Sequence, residues 1–176
     1  MRFQDLLSRD KTAVKRLWLD LIIETYHPDS HEFFRNQKDK FQNPVGAAMS
    51  DQLDSLLDAM TNETTDDELS AILQDFIKIR AVQEFSPSKA VGYILFLKQA
   101  VRKIFAKEIE SFNLFSEMQA LEAKVDKLLL IAFDVYSQAR EQLFTIRADE
   151  LRRSSFMALR LKDSSPQNKP IPGKPE

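Results

Sequence analysis

His27 and His31 lie four residues apart, the spacing that places two metal ligands on one face of a helix. Pro28 separates them, and Asp29 and Ser30 are residue types that favour the N-cap of a new helix. We therefore expect the two imidazoles in different elements, with His27 ending one helix and His31 near the start of the next. The sequence predicts no metal or haem ligation by this pair.

The densest group of carboxylates lies in the segment TNETTDDELS, residues 61–70. Paired carboxylates can act as general acid and base. However, Thr65 and Glu68 have the spacing of a helix capping box, and the helix dipole favours the acids Asp66 and Asp67 between them. The sequence also has no Ser-His-Asp order worth weighing, no P-loop and no glycine-rich phosphate loop. We predict a protein that is not an enzyme and holds no cofactor.

The segment IRADELRRSSFMALRLK, residues 146–162, combines five cations and two carboxylates with large apolar side chains. A basic amphipathic helix can bind nucleic acid, a membrane surface or a protein, and cations at a helix end also complement its dipole. Because the apolar groups invite a contact, we favour a protein partner or self-association. The candidate interaction residues are Arg147, Glu150, Leu151, Arg153, Phe156, Met157 and Leu159.

Composition narrows the classes of partner and compartment. The 176 residues include 25 Lys and Arg against 27 Asp and Glu, and this net charge of -2 gives no broad basic field for nucleic acid. There is no cysteine, which excludes disulfides and thiolate metal sites. Asp5 and Asp10 interrupt the N-terminal segment where a signal peptide needs an apolar run, and no stretch approaches the roughly 20 apolar residues of a membrane span. We expect a cytoplasmic protein.

The elements that must position these residues are helices, because apolar residues recur at intervals of three and four. Asn43 before Pro44 and Ser86 before Pro87 both place a capping residue before a proline at the first helical position. The helix opened by Pro87 has the apolar centre AVGYILFLKQAV and is expected to be one buried helix. A last helical pattern runs over residues 117–162, although its core stripe ends at residue 146.

Gly46 lies in the first turn of the helix that Asn43 and Pro44 open, where glycine costs up to about 1 kcal/mol relative to alanine. We predict that close approach of a neighbouring backbone offsets this cost. Gly92, in the apolar helix, is the candidate for the other side of that crossing.

Together these patterns predict an all-α fold, a single compact bundle of about five or six helices with a long C-terminal helix. Residues 1–162 form the predicted domain, in which 147–162 is a helix end that projects or bends back. Residues 163–176 contain four prolines and a glycine and are expected to be disordered.

Two stretches resemble a known family. FRNQKDKFQNPVGAAM and the later FDVYSQAREQLFTIRADELRR are similar to the N-terminal domain of RsbRD-type co-antagonist proteins, over roughly residues 10–153. The family pattern combines an aromatic residue, Asn-Pro-Val-Gly opening a helix, and a distant Arg-rich helix with an Ile-Arg-x-x-Glu element. The matching positions are Phe41, Asn43, Pro44, Val45 and Gly46, then Arg140, Ile146, Arg147, Glu150 and Leu151.

The resemblance implies a cytoplasmic, non-catalytic helical input module of bacterial stress signalling that passes a signal along its last helix. The globin-like input domains of related regulators are an alternative arrangement of the helices. In the full-length regulators a STAS domain follows, and no segment of this sequence resembles one. We therefore expect a stand-alone module whose last helix acts on another chain.

Two functional hypotheses remain from the sequence. The first is a regulatory interaction module that dimerises through its last helix. The alternative is a sensor that holds a small molecule or haem in a core pocket among Trp18, Phe76 and Phe96.

Overall fold

A computed structural model describes residues 2–36, 43–83 and 85–163. Within these ranges the chain is helical and has no β-strand, so the predicted all-α class is confirmed. Five of the nine α-helices within these ranges have nine residues or more. The helices are α1 (Phe3–Arg9), α2 (Lys11–Ile23), α3 (His31–Asn36), α4 (Pro44–Thr61), α5 (Asp66–Val82), α6 (Pro87–Val91), α7 (Phe96–Ile104), α8 (Ala106–Ser111) and α9 (Phe115–Asp163), with short 3-10 helices at Pro28–Ser30 and Gly92–Leu95.

The chain divides into two compact units, Met1–Arg140 and Glu141–Glu176. In the first unit α2 packs against α7 and α4, and α4 packs against α5. Trp18 of α2 is fully buried in this core. Its indole Nε1 donates a hydrogen bond to the Tyr93 carbonyl oxygen at 2.8 Å, which ties α2 to the 3-10 helix before α7.

Two predicted helix starts are confirmed. The Asn43 side chain accepts a hydrogen bond from the Gly46 amide at 2.8 Å, and Pro44 occupies the first helical position. Thr65 and Glu68 form the predicted capping box at the start of α5. Hydrogen bonds from the Thr65 backbone and then its hydroxyl lower the pKa of the Glu68 carboxyl.

The predicted crossing of Gly46 with Gly92 is wrong. A Cβ atom added to Gly46 would lie 2.2 Å from Nδ2 of Asn43, the residue that caps the same helix, so the cap itself requires the glycine. A Cβ atom added to Gly92 would have no neighbour within 4 Å. The side chain of Asn43, and not a neighbouring helix, therefore limits the space at Gly46.

The expected single helix after Pro87 is interrupted at Gly92. Three carbonyl groups in this stretch accept hydrogen bonds from distant side chains. The Lys89 and Ala90 oxygens accept from Arg80 Nη1 at 2.7 and 3.3 Å, and the Tyr93 oxygen accepts from Trp18. These bonds surround the point at which the chain passes through a 3-10 turn before α7 begins.

The long helix α9 contributes one buried stripe to the first unit. Two ion pairs fix its register on α7, because Lys98 lies 2.6 Å from Asp126 and Arg102 lies 2.5 Å from Glu122. The buried residues of α9 are Met118, Leu121, Val125, Leu128, Ala132, Val135, Tyr136 and Ala139. The buried stripe thus ends before Ile146, whose side chain is exposed, whereas the sequence stripe continued to that residue.

Candidate functional site

The two histidines do not share one helix, in agreement with the sequence prediction. His27 precedes a 3-10 helix and its Nδ1 accepts from the Asp29 amide at 3.4 Å, while His31 opens α3 with Nε2 3.0 Å from the Tyr26 carbonyl oxygen. His27 does not end α2, which stops at Ile23. Across the described ranges, no group of three or more His, Cys, Asp or Glu residues could hold a metal ion.

The residues of the predicted interaction surface all lie in the second unit, on the part of α9 that spans residues 141–163. Each of Arg147, Glu150, Leu151, Arg153, Phe156, Met157 and Leu159 is exposed. The Arg152 guanidinium pairs with Asp149 at 3.4 Å, and the Arg160 guanidinium lies 5.6 Å from the Phe156 ring centre. The charged and apolar groups of this segment are therefore interspersed.

One row of this segment has the spacing of a coiled-coil seam. Residues 144, 148, 151, 155 and 158 alternate steps of four and three, and they are Phe, Ala, Leu, Ser and Ala. We call this row the C-terminal stripe. Phe144 is 76% exposed and Leu151 is 70% exposed, while Ala148 is half-buried and Ser155 and Ala158 are exposed. The stripe presents large apolar groups together with small residues that allow close helix approach.

Sequence reasoning selected Leu151 of this stripe but missed Phe144. The sequence stripe that ended at Ile146 follows the core face of α9, and Phe144 lies off that face. The signal that could have found it is the step of four and then three from Phe144 to Leu151, read as a second row.

The Asn-Pro-Val-Gly motif at residues 43–46 serves as a helix start. Asn43 is buried and Val45 is half-buried, while Phe41 lies outside the described residues. The hydrogen bond from Gly46 to Asn43 accounts for the Asn and Gly positions, and Pro44 needs no amide partner there. Their role in the described geometry is to begin α4.

A second polar cluster lies inside the first unit, and no sequence pattern predicted it. Arg80 of α5 is fully buried, and four aromatic rings surround its guanidinium group. The ring centres of Phe76, Phe85 and Tyr93 lie 4.9 Å from the guanidinium carbon, and that of Tyr26 lies 5.2 Å away. We call these five residues the Arg80 box.

Hydrogen bonds to neutral oxygen atoms hold the guanidinium group in place. Arg80 Nη1 donates to the Lys89 and Ala90 carbonyl oxygens, and Nη2 donates to the Tyr26 hydroxyl at 3.1 Å. Nε has no hydrogen-bond partner, and no acidic group of the described residues pairs with this cation. The charge is thus stabilised by oxygen dipoles and ring faces.

The same cluster continues into a neutral hydrogen-bond chain. Burial raises the pKa of the Tyr93 phenol above its ordinary range, so its hydroxyl remains a donor. That hydroxyl donates to Gln52 Oε1 at 2.6 Å, and Gln52 Nε2 donates to the Ile72 and Leu73 carbonyl oxygens. Side chains of α2, α4 and α5 therefore meet the segment before α7 at this one place.

The cavities of the first unit lie elsewhere. Five surface cavities have volumes of about 290 to 550 Å³, and none of the five is lined by Trp18, Phe76 or Phe96. One cavity of about 290 Å³ lies among α1, α4 and α9, and Leu7 and Leu121 are part of its apolar lining. None of the helices that the structure describes is long and apolar enough to cross a membrane.

Comparison with known protein families shows which family the chain belongs to. The model of the family described as "RsbT co-antagonist protein rsbRD N-terminal domain" matches residues 13–151, which is 139 of the 176 residues. The chain belongs to this family. No curated protein and no solved structure shows significant similarity to it. The RsbRD N-terminal domain family is a family of regulatory signalling domains, so the match assigns a regulatory class to this fold.

Proposed function

We propose that this RsbRD N-terminal domain is a non-enzymatic input module of bacterial stress signalling that acts through a protein contact made by residues 144–159 of α9. The observation that supports the proposal is the exposure of large apolar side chains on that segment, beginning with Phe144 and Leu151. Exposed apolar rows of this kind are typical of surfaces that bind protein. The family description, which names a co-antagonist of RsbT, is in keeping with a partner protein.

We propose a second copy of the chain as the first partner. The C-terminal stripe has the 3.5-residue spacing that two helices need in order to remain in contact along their length. Ala148, Ser155 and Ala158 are small, so they allow a second helix to approach closely. A symmetric pair would bury Phe144 and Leu151 of both copies.

The test places one negative charge on or away from the stripe. Leu151→Glu should lower the fraction of dimer at a given protein concentration, because a carboxylate in the seam loses water on association. Gln142→Glu is the matched control, since it adds the same charge nine residues earlier, two and a half turns around the helix, at an exposed position. Size-exclusion chromatography with light scattering measures the mass of each variant.

Wild-type protein that remains monomeric at tens of micromolar would overturn the second-copy proposal. Equal dimer fractions for Leu151→Glu and Gln142→Glu would overturn the stripe as its seam. Removal of residues 147–176 should leave a folded protein that associates less, and circular dichroism would confirm that the remaining helices are intact.

A ligand sensor is the second candidate, and the cavity of about 290 Å³ is the observation that favours it. Phe3, Leu7 and Leu121 supply an apolar lining. Lys124 and Arg2 supply two cations against the one carboxylate of Glu117, which would suit an apolar molecule with one acidic group. Native mass spectrometry of the purified protein tests this directly. A spectrum with only the mass of the polypeptide, before and after addition of a medium-chain fatty acid, would reject the sensor.

A further inference from the structure

Phe85 belongs to two sets of contacts at once. Its ring lies 4.9 Å from the Arg80 guanidinium carbon and 5.5 Å from the Tyr26 ring centre. Its amide donates to the Arg80 carbonyl oxygen at 3.3 Å. Its own carbonyl oxygen accepts from the Tyr136 hydroxyl of α9 at 2.5 Å. A displacement of Phe85 would therefore change both the Arg80 box and a contact of α9.

A second hydrogen bond joins α9 to the same end of α5. Arg140 Nη1 donates to the Ala81 carbonyl oxygen at 3.1 Å, and Ala81 directly follows Arg80. Carbonyl groups at the C-terminal end of a helix lack partners within the helix, so side chains from elsewhere commonly satisfy them. Tyr136 and Arg140 are four residues apart and thus lie on one face of α9. Together they attach α9 to the last turn of α5 and the residues that follow.

A partly opened Arg80 box is expected to be unfavourable. Burial removes the guanidinium group from water, so its charge depends on its ring contacts and oxygen partners. If Phe85 moves away, water reaches a cation that already has an unpartnered Nε. A half-open box loses ring contacts before the cation regains full hydration, so closed and open arrangements are both favoured over it.

We propose that the Arg80 box is a coupling element that controls how firmly α9 is attached through Tyr136 and Arg140. In the closed state, Phe85 and Ala81 present their carbonyl oxygens to α9. In the open state, these acceptors move and both hydrogen bonds are lost. The inference concerns regulation of the module and rests on the proposed function only for the output of α9. The coupling itself is a property of residues 26–140.

A double-mutant cycle between Arg80→Met and Tyr136→Phe tests the coupling. Methionine removes the charge but keeps an unbranched side chain in the apolar site, and phenylalanine removes only the hydroxyl of Tyr136. In the wild-type background, loss of this hydroxyl should lower the equilibrium constant for folding by about five-fold. In the Arg80→Met background the same loss should lower it by about two-fold or less, because Phe85 no longer holds its carbonyl in place.

The control cycle replaces Tyr136→Phe with Arg102→Gln. Arg102 pairs with Glu122 of α9, so this variant also removes a contact between α9 and the rest of the unit. Its effect on the folding constant should be the same in both backgrounds, within about two-fold. If the effects of Arg80→Met and Tyr136→Phe likewise multiply independently, the coupling proposal is overturned. Should Arg80→Met fail to fold, Phe85→Leu takes its place in the cycle.

Trp18 gives a second readout that a purely local contact would leave unchanged. It is the chain's one tryptophan, and its indole donates to Tyr93, whose ring belongs to the box. The combined variant Tyr136→Phe with Arg140→Gln should shift the Trp18 emission of the folded protein, whereas Arg102→Gln should leave it unchanged. An identical spectrum for both would contradict transmission through the box.

These measurements separate the two proposals. The cycle and the emission spectrum require no self-association, so they remain decisive even if Leu151→Glu shows that the C-terminal stripe binds no second copy. Conversely, a multiplicative cycle alongside a dissociated Leu151→Glu variant would overturn the coupling and leave the interaction surface in place.

Discussion

Gly46→Ala is predicted to destabilise the protein, although replacement of a helical glycine by alanine ordinarily stabilises. The new Cβ would lie 2.2 Å from Asn43 Nδ2 and 2.7 Å from Asn43 Oδ1. The Asn43 side chain must therefore move, and the hydrogen bond it accepts from the residue 46 amide is lost. Asn43 is only 2% exposed, so its displaced amide group has little access to water.

The size of this destabilisation follows from two losses of stability and one gain. Loss of an Asn cap costs about 0.5–2 kcal/mol, and displacement of a buried polar group from its hydrogen bond costs about 1–3 kcal/mol. The intrinsic helix preference of alanine returns about 1 kcal/mol. From these ranges we expect a net loss of about 0.5–4 kcal/mol in the free energy of unfolding, or a fall in Tm of roughly 1–16 °C for a chain of this size.

The assay is thermal and urea unfolding of the wild type and four variants, monitored by circular dichroism. Gly92→Ala is the matched control and should cause no loss, because a Cβ there meets no atom within 4 Å. Asn43→Ala should cost about 1 kcal/mol by itself. In that background Gly46→Ala should become stabilising, since no cap remains to be displaced. A Gly46→Ala variant at least as stable as wild type, with no change of sign between backgrounds, would refute the reasoning.

Three further predictions concern the Glu68 cap of α5, the turn at Asn113 and the Arg80 box. The pKa of Glu68 is lowered in the folded state by its hydrogen bonds to Thr65. The contribution of Glu68 to stability is therefore present above about pH 5 and disappears as the pH falls through the lowered value. Glu68→Gln should make the urea midpoint of unfolding less dependent on pH over that acid range. Asn113 has a φ of 52°, which glycine adopts without strain. Asn113→Gly should therefore leave Tm unchanged, whereas Asn113→Ala should lower the free energy of unfolding by about 1 kcal/mol and lower Tm accordingly. Arg80→Lys should be less stable than Arg80→Met by about 2 kcal/mol or more, because a buried ammonium keeps the charge with fewer partners; equal urea midpoints would contradict this.

The sequence predicted those parts of the fold that depend on neighbouring residues in the chain. The caps at Asn43 and Thr65 could be predicted because their donors and acceptors lie within three residues of each other. The Arg80 box could not, since its partners lie up to 54 residues away in the chain and an arginine in a helix is ordinarily exposed. For the same reason the choice of Gly92 as a packing contact failed, because the broken helix around it is set by tertiary contacts.

The interaction surface on α9 stays a prediction, and the residues chosen for it are exposed. The apolar groups among the cations of residues 146–162 indicated this surface. Phe144 was missed because it falls next to Leu143 and Ile146, which continue the core periodicity. Periodicity gives the direction of a side chain, but it does not show at which residue the neighbouring helices end.

The interruption between α6 and α7 has a consequence for the order of folding. Its carbonyl groups accept hydrogen bonds from Arg80 and Trp18, so we expect the interruption to form after α5 and α2 have reached this segment. Before that, we expect residues 87–104 to sample one continuous helix through Gly92. A peptide of residues 86–105 should therefore show helical chemical shifts across Gly92 in a helix-promoting solvent, whereas a break retained in the peptide would mean that the sequence itself encodes it. If the peptide forms one continuous helix, the 3-10 turn forms late, when α5 and α2 pack against this segment. We then expect slow steps in refolding to involve this turn.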